Sequence, residues 1–239
     1  MEIMKKTAII VPTYNEADNI GPLIDELLAL NIPGYVVVVD DNSPDGTWKV
    51  VEDKAALDSR IVLIKRKAKL GLGTAYIAGF NRFLSDETIE LFITMDADFS
   101  HNPKFIPSMI KGSANADIVI GSRYIPGGKT VDFAWYRRMI SRSANFFAKS
   151  LLKLTPNDCT AGFRCYRRDV LEKIDLTTIF SHGYSFLVEM LYRCTCSNFK
   201  VGEVPITYLA RAHGLLKISM EEAVNTALTI IKLRFRNIS

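Results

Sequence analysis

The first half of the chain alternates apolar runs with amphipathic segments. Runs rich in β-branched residues are typical of buried strands, and they read "TAIIVP", "YVVVV", "RIVLIKR", "LFITM" and "ADIVIGSRY". Apolar residues three or four positions apart predict helices between these runs, over residues 17–30, 47–57, 73–85 and 102–113. Strands that are apolar on both sides must be covered on both faces. The pattern therefore predicts an α/β fold, with a mostly parallel twisted sheet and helices on both faces.

The second half of the chain is less regular. A glycine-rich loop is predicted over 125–133, a loop with a short strand and then a turn over 157–171, and a single strand over 200–211. Helical spacing predicts amphipathic helices over 134–154, 185–196 and 219–238.

Acidic and polar side chains follow three of the predicted strands. They are Tyr14 and Glu16, Asp40 and Asp41, and Asp96 and Asp98. In open α/β sheets, ligands bind beyond the carboxyl ends of the strands. We therefore expect a polar ligand site at this end of the sheet.

Asp96 and Asp98 form a D-x-D pair, which has three interpretations. The pair could form a turn or cap a helix, although Ser100 or Asn102 could cap the next helix without it. It could act as general acid and base, as in glycoside hydrolysis. It could also hold a divalent cation that is shared with substrate phosphates. Its position after a buried strand, in line with two other acidic strand ends, favours the metal–diphosphate interpretation.

Composition and motifs exclude several other classes. The 239 residues carry a net charge of +4, which is too small to indicate a nucleic-acid partner by itself. We find no N-terminal signal pattern and no apolar run of about 20 residues, so a soluble or peripheral protein is expected. A P-loop motif is missing, and the glycines over 71–79 do not complete the G-x-G-x-x-G fingerprint of dehydrogenases.

Seven motifs occur in an order that resembles a known family. They read "VPTYNEADNI", "VVVVDDNSPDGT", "LGLGTAYIAGF", "MDADFSHNPKFIP", "IGSRYIPGG", "AGFRCYRRDVL" and "GEVPITYLAR". From about Thr7 to about Lys217, the chain resembles family-2 glycosyltransferases of the GT-A fold. Within these it resembles the short, peripheral dolichyl-phosphate (polyprenyl-phosphate) mannose synthases. The resemblance implies one GT-A catalytic domain over 1–218 and a C-terminal amphipathic helix over 219–239.

The resemblance also implies a set of site residues. Catalytic roles fall to Asp96, Asp98, Arg123 and Arg137, with Arg138 as the alternative for binding the acceptor phosphate. Donor contacts fall to Pro12, Tyr14, Glu16, Asp41, Asp96, Ala97, Asp98, Arg211 and Lys217, and Asp40 could instead support its loop. Asp98 and Ser100 are expected to bind Mg²⁺ or Mn²⁺. Leu216 stands where the family pattern R-x-x-G-x-S-K has serine, which weakens the assignment of Lys217. Asp158 and Glu189 are pocket candidates, with capping or helix-surface roles equally open.

The implied reaction is inverting transfer of mannose from GDP-mannose to a polyprenyl (dolichyl) phosphate, which gives a β-mannosyl-phosphoryl lipid. A phosphate acceptor is already ionised and needs no general base, in keeping with the absence of a "Q-x-x-R-W" motif. The alternatives are a UDP-glucose donor, a sugar hydroxyl acceptor, or a non-catalytic nucleotide-sugar-binding module.

A lipid acceptor implies contact with a membrane. The helix over 135–154 has aromatic residues on one side and basic residues elsewhere, which is typical of interfacial helices, although simple core packing would also explain it. We expect a peripheral protein on the cytoplasmic side of a membrane, the endoplasmic reticulum in a eukaryote. A small membrane partner subunit is a further option, and no nucleic-acid partner is expected.

Overall fold

The structure, a computed structural model, describes residues 5–132, 134–209 and 220–236. Its strands are β1 (Thr7–Thr13), β2 (Gly34–Asp40), β3 (Ile61–Lys65), β4 (Leu91–Thr94), β5 (Ile118–Ser122), β6 (Lys129–Val131), β7 (Arg164–Arg167), β8 (Val201–Pro205) and β9 (Thr207–Leu209). Its α-helices are α1 (Ala17–Ala29), α2 (Thr47–Ala55), α3 (Leu72–Phe83), α4 (Ile106–Gly112), α5 (Trp135–Leu152), α6 (Arg168–Lys173), α7 (Ser185–Cys196) and α8 (Met220–Phe235). Short 3₁₀ turns span Pro103–Phe105 and Leu176–Thr178.

Seven strands form the central sheet, in the order β3-β2-β1-β4-β7-β5-β8. Only β7 runs against its neighbours among the described strands of this sheet. Thr13 pairs with Asp40, so β1 and β2 end side by side, whereas β4 ends opposite Ile10. The residues after β4 therefore lie beside the last residues of β1. This register brings the three acidic strand ends to one end of the sheet.

The sheet buries both faces, as its unbroken apolar strands require. Ile10 faces a core shared with α3, α5, α7 and α8, while its neighbour Ile9 faces a core shared with α1, α2 and α4. The predicted mostly parallel sheet with helices on both faces is confirmed.

The second half departs from the predicted elements in three places. Residues 129–131, predicted as loop, form β6, and the turn predicted after β7 is helix α6. The single strand predicted over 200–211 is two strands. The Ile206 N–H donates to the carbonyl of Ser122 in β5 (3.0 Å), and the chain then leaves the large sheet to pair β9 with β6. The glycine-rich loop is thereby fixed beside the site.

The C-terminal helix α8 packs on the rest of the protein. Ile230 and Leu233 are buried in the same core as Ala148 and Leu152 of α5, and α8 also contacts α7. The boundary predicted at residue 218 lies outside the described residues. Within the described ranges, every helix is too short or too polar to cross a bilayer.

Candidate active site

The ends of β1 and β2 are tied together by Asp40. Its fully buried carboxylate accepts hydrogen bonds from Thr13 Oγ1 (2.8 Å), from the backbone N–H of Ser43 (2.9 Å) and from Ser43 Oγ (2.6 Å). All three bonds are internal to the protein. Asp40 therefore supports its loop, which was one of the roles that the sequence left open.

Asp41 joins the end of β2 to the loop before α3. Its Oδ2 accepts hydrogen bonds from the backbone N–H groups of Leu70 and Gly71, both at 3.1 Å, and its Oδ1 pairs with Arg66. Gly71 has φ = +93°, a conformation that glycine adopts without strain. The first glycine of "GLG" thus lets the backbone approach Asp41. Donor binding by Asp41 stays a prediction.

The remaining predicted donor residues of β1 lie at the same end of the sheet. Pro12 and Tyr14 are half-buried, and the Lys69 ammonium lies 4.2 Å from the centre of the Tyr14 ring. Glu16 is buried, accepts a hydrogen bond from Asn19 Nδ2 at 2.8 Å and immediately precedes α1. Tyr14 and Lys69 therefore lie together at this end of the sheet.

The D-x-D pair follows β4 directly. Asp98 Oδ1 accepts hydrogen bonds from the backbone N–H of Ser100 (3.2 Å) and from Ser100 Oγ (2.6 Å), so this carboxylate has a fixed direction. Asp96 is half-buried and Ala97 between the two is buried. Asn102 caps the following turn by accepting from the Lys104 N–H at 3.0 Å. Because neither aspartate takes part in this cap, helix capping does not explain the D-x-D pair.

His101 is a site residue that the sequence analysis missed. Its Nδ1 accepts a hydrogen bond from the backbone N–H of Asp96 at 2.9 Å, which places the proton of the neutral imidazole on Nε2. The buried ring stacks on Phe163 with a centroid distance of 5.1 Å. His101 therefore fixes the backbone at Asp96. The signal in the sequence was its place in the "MDADFSH" motif.

The carboxylates of this turn fit a divalent cation. Asp96 and Asp98 offer hard oxygen donors, which Mg²⁺ and Mn²⁺ prefer. Among the described residues there is no cluster of three or more histidine, cysteine, aspartate or glutamate side chains that could hold a metal alone. Two carboxylates suit a cation that completes its shell with substrate phosphate and water. Ser100, predicted as a ligand, has its hydroxyl proton directed to Asp98, an arrangement that orients the carboxylate.

Arg123 lies on the other side of the site, at the end of β5. Its Nε and Nη2 donate to the two carboxylate oxygens of Asp158, both at 2.7 Å, and Nη2 also donates to Thr160 Oγ1 at 3.2 Å. Burial alone would lower the pKa of the Arg123 guanidinium, but the Asp158 carboxylate raises it above its usual value. Arg123 is thus charged and fixed in orientation, and the pocket candidate Asp158 is its buried partner.

Tyr208 lies between the aspartates and Arg123. This half-buried side chain on β9 has its ring centre 5.3 Å from the Arg123 guanidinium and 5.8 Å from the His101 ring. Burial and then the charges of Asp96 and Asp98 raise the pKa of Tyr208 to about 12. One side chain therefore contacts both halves of the site, although the sequence analysis did not single it out.

The two candidate arginines for the acceptor phosphate differ in their surroundings. Arg137 is half-buried, and its Nε is buried without a hydrogen-bond partner. Arg138 is exposed, with a long contact of 3.5 Å from Nη2 to the carbonyl of Thr130. A buried unpaired donor is rare in proteins, and an anionic ligand would satisfy it. The structure therefore favours Arg137 over Arg138.

The predicted residue Glu189 stands apart from this group. Glu189 is buried, forms an ion pair with Arg193 (2.7 Å) and accepts from the Ser181 N–H (2.9 Å), so it joins α7 to the preceding loop. The side chain is fully buried, so the helix-surface role that the sequence left open is wrong. Arg211 and Lys217 lie outside the described residues.

Helix α5 exposes a wide apolar face. Trp135 and Phe146 are each 73% exposed, and the face as a whole comprises Trp135, Tyr136, Met139, Ile140, Phe146 and Phe147. Because successive residues of a helix turn by about 100°, Arg138, Arg142 and Lys149 form a basic row along one border of this face. The neighbouring helix α8 adds an exposed apolar row of Val224, Leu228, Ile231 and Phe235.

Two curated proteins are similar to this chain over most of its length. Polyprenol monophosphomannose synthase of Mycolicibacterium smegmatis is 40% identical over 217 residues, which cover 90% of this chain and 82% of that protein. Undecaprenyl-phosphate mannosyltransferase of Micrococcus luteus is 41% identical over 210 residues, which cover 88% and 86% of the two chains.

Solved structures share the fold at much lower identity. Glucosyl-3-phosphoglycerate synthase from Mycobacterium tuberculosis, in complex with Mn²⁺, UDP and glucosyl-3-phosphoglycerate, aligns with a TM-score of 0.65 and 18% identity, covering 96% of this chain and 78% of that one. The same enzyme with Mg²⁺ and UDP aligns with a TM-score of 0.65 and 17% identity, covering 96% and 79%. This likeness confirms the GT-A fold.

Residues 8–175 match the family model described as Glycosyl transferase family 2. The match contains the ends of β1, β2, β4 and β5, and with them the D-x-D pair, Arg123 and Arg137. The protein that this sequence encodes therefore belongs to glycosyltransferase family 2.

Proposed function

We propose that this protein transfers mannose from GDP-mannose to a polyprenyl phosphate with inversion, giving a β-mannosyl-phosphoryl lipid. The two curated relatives, named for mannosyl transfer to polyprenyl carriers, support the sugar and the acceptor class. The observation that carries the proposal is the position of Tyr208, whose ring lies 5.3 Å from the Arg123 guanidinium and 5.8 Å from the ring of His101, which accepts a hydrogen bond from the backbone of Asp96. A pair of acids and a fixed arginine at one end of the sheet suit a reaction between two phosphate-bearing substrates.

Asp96 and Asp98 would hold Mg²⁺ or Mn²⁺ together with the donor diphosphate. When bound, the cation offsets the negative charge that develops on the departing nucleotide. The Asp98 carboxylate is already oriented for this role, because Ser100 Oγ donates a hydrogen bond to it. His101 holds the backbone at Asp96, so the start of the D-x-D turn is fixed before any substrate arrives.

The acceptor phosphate needs positioning and no general base. Arg137 would bind it through its unpaired Nε, in the geometry that a guanidinium offers to phosphate oxygens. An oxygen of this phosphate attacks the anomeric carbon of the sugar, and the bond from that carbon to the diphosphate oxygen breaks. GDP leaves with the bonding electrons, and attack from the opposite side inverts the configuration to β.

A membrane surface would present the lipid acceptor to this site. The apolar face of α5, bordered by Arg138, Arg142 and Lys149, has the character of an interfacial helix at an anionic bilayer. Arg137 lies on the same helix, so docking this face would bring the acceptor phosphate to its arginine. A peripheral position on the cytoplasmic side of the membrane follows from this proposal.

The test is transfer of labelled sugar to a short polyprenyl phosphate. GDP-mannose and UDP-glucose are offered in parallel, each with Mn²⁺ and with EDTA. We expect mannosyl lipid from GDP-mannose only, abolished by EDTA and reduced at least about a hundredfold in Asp98→Asn. The matched control is Asp53→Asn, since Asp53 is an exposed aspartate of α2. If product forms from UDP-glucose alone, the assignment of GDP-mannose as donor is wrong. If Asp98→Asn is as active as the control variant, the assignment of Asp98 to a metal site is wrong.

A further inference from the structure

Thr160 connects helix α5 to Arg123. Its Oγ1 accepts hydrogen bonds from Arg123 Nη2 at 3.2 Å and from Asn145 Nδ2 at 3.0 Å. The backbone N–H of Thr160 in turn donates to Asn145 Oδ1 at 3.1 Å. Asn145 is buried on α5, and Thr160 is half-buried in the loop between α5 and β7. These hydrogen bonds therefore fix Thr160 beside the guanidinium of Arg123.

The partners of Thr160 determine where its hydroxyl proton can go. A guanidinium N–H only donates, and the Asn145 amide nitrogen also donates, because the Asn145 oxygen is the atom that accepts from the Thr160 backbone N–H. Both lone pairs of the Thr160 hydroxyl oxygen are therefore used. Its proton is left to be donated, and no residue in the described ranges accepts it. The hydroxyl thus offers a hydrogen-bond donor next to a fixed positive charge.

Arg123 has further donors next to Thr160. Its Nε and Nη2 donate to Asp158, and the second hydrogen of Nη2 is directed to Thr160. The N–H groups of Nη1 have no hydrogen-bond acceptor within residues 5–132, 134–209 and 220–236. Neighbouring N–H bonds of Nη1 and Nη2 are parallel, because the guanidinium is planar. An oxygen that accepts from Nη1 would therefore lie beside Thr160 Oγ1, within reach of its proton.

We propose that Thr160 is a phosphate-binding residue: its hydroxyl and Arg123 Nη1 donate to one substrate phosphate, and Asn145 is the positioning residue that directs the Thr160 proton. The inference rests on the proposed function in one respect, that Arg123 meets a phosphate-bearing substrate. A phosphate suits these two donors because it presents several charged oxygens side by side. The donor diphosphate and the acceptor phosphate share this chemistry, and the experiment below distinguishes them.

Two substitutions at Thr160 separate the hydroxyl from the shape of the side chain. Thr160→Val keeps the branched shape and removes the hydroxyl, whereas Thr160→Ser keeps the hydroxyl. Thr195→Val is the matched control, since Thr195 is a half-buried threonine whose hydroxyl donates to the Leu191 carbonyl at 3.0 Å. Thr195 lies in the last turn of α7, before β8 begins, whereas Arg123 follows the end of β5, which is parallel to β8. The control residue is therefore at the other end of the sheet from the site.

The first measurement is calorimetry of the full-length protein with two ligands, GDP in the presence of Mn²⁺ and a short polyprenyl phosphate. Loss of a hydrogen bond to a charged group predicts at least about tenfold weaker binding of one ligand to Thr160→Val. Thr160→Ser loses only a methyl group and should stay within about threefold of wild type. A loss of affinity for GDP places the contact at the donor diphosphate, and a loss for polyprenyl phosphate places it at the acceptor.

Asn145→Ala tests the positioning role. It should weaken binding of the same ligand as Thr160→Val, because the Thr160 hydroxyl is then free to rotate. In the double variant it should add no further loss to that of Thr160→Val, since both changes act on one hydroxyl. Separate losses that multiply in the double variant would overturn the role of Asn145.

A second background separates a direct phosphate contact from support of Arg123. Arg123→Lys retains a positive charge opposite Asp158 and removes the hydrogen bond from the guanidinium to Thr160. If Thr160 donates to the phosphate, Thr160→Val should still weaken binding at least about threefold in this background. If it causes no further loss there, Thr160 acts only by holding Arg123, and the inference is wrong.

The remaining outcomes distinguish this inference from the proposed function. Wild-type affinity of Thr160→Val for both ligands, or equal losses in Thr160→Val and Thr160→Ser, would overturn the inference and leave the proposed function standing. If the wild-type protein binds a ligand that Thr160→Val binds weakly, yet transfers no mannose, the proposed function is wrong and the phosphate contact stands. A wild-type protein that binds neither ligand would overturn both. Matching thermal unfolding of Thr160→Val and Thr195→Val shows that a loss of binding is local.

Discussion

Arg123 and Asp158 form a two-pronged ion pair that ties the end of β5 to the loop before β7. Both side-chain contacts are 2.7 Å, and the backbone N–H of Arg123 donates to the same carboxylate at 2.9 Å. The loop itself is held to β8, because Glu203 accepts from the backbone N–H groups of Asn157 (3.0 Å) and Asp158 (3.1 Å). The orientation of Arg123 thus depends on residues from three parts of the chain.

Removing the buried partner of Arg123 should destabilise the protein. Asp158→Ala leaves a half-buried guanidinium without its carboxylate, and we expect a loss of about 3 kcal/mol in the free energy of unfolding. The measurement is urea unfolding followed by circular dichroism. Asp169→Ala is the control, because its ion pair with Arg167 is exposed and should change stability by less than about 1 kcal/mol. Equal effects of the two changes would contradict the assigned importance of the Arg123 pair.

Arg137 and its neighbour Arg138 should differ in acceptor kinetics. Arg137→Ala is expected to raise the KM for polyprenyl phosphate at least about tenfold, because the charge-assisted bonds from the guanidinium to the phosphate are lost. Binding of the nucleotide donor should be unchanged, as measured by calorimetry. Arg138→Ala should stay within about threefold of wild type, since Arg138 is exposed. The reverse ranking would move the acceptor phosphate to Arg138.

We expect the apolar face of α5 to be needed for binding to membranes and not for activity on a water-soluble acceptor. Phe146→Glu places a charge on this face, and we expect it to reduce sedimentation with vesicles that contain anionic lipid. Leu57→Glu is the control, because Leu57 is 89% exposed after α2, on the other face of the sheet. Activity on a short, water-soluble acceptor should be normal in both variants. Normal vesicle binding by Phe146→Glu would show that another surface meets the membrane.

Stability should fall at high pH through buried thiols. Burial raises the pKa of Cys159, Cys165 and Cys194 to about 12, above the ordinary value of 9.0. The unfolded chain therefore releases these protons first, so the contribution is complete below pH 9 and is lost as the pH rises toward 12. Each such thiol adds a slope of up to about 1.4 kcal/mol per pH unit to the free energy of unfolding.

Removing one buried thiol tests that slope. Cys165→Ala should make the decrease between pH 9 and pH 11 shallower, as measured by urea unfolding at several pH values. Cys196→Ala is the matched control, since Cys196 is exposed in the folded protein. A slope in Cys165→Ala as steep as in the control would exclude Cys165 as a source of the pH dependence.

The sequence predicted secondary structure most accurately in segments where the local pattern and the tertiary structure agree. The first five strands and four helices bury unbroken apolar faces, so their periodicity and their place in the sheet have one cause. The position of β7 could not be predicted in this way, because Arg164–Arg167 is a short segment whose place between β4 and β5 depends on long-range pairing. The end of β8 at Pro205 was visible in the sequence as a proline. The strand β6, which pairs with the next strand, lies about 75 residues earlier in the chain, so no local pattern could indicate the pairing.

The residues of the candidate site also differ in whether the sequence could reveal them. The D-x-D pair was visible because charged residues at strand ends are unusual in an apolar pattern, whereas Arg123 was assigned only through the family resemblance. Tyr208 was missed because an aromatic residue near apolar neighbours is usually interpreted as core packing, and His101 was missed because its bond to the Asp96 backbone has no signal in the sequence. Their importance appears only when the fold brings the ends of β4 and β9 together.

The small sheet of β6 and β9 connects the two parts of the protein that we propose bind the acceptor and the donor. Three residues separate β6 from α5, which carries Arg137 and the apolar face, while β9 carries Tyr208. A displacement of α5 is therefore expected to reach the strand beside the aspartates through the paired backbones. A consequence is communication between acceptor and donor: arrival of the lipid at α5 is expected to alter the affinity for the nucleotide sugar, and the nucleotide sugar to alter that for the lipid by an equal factor.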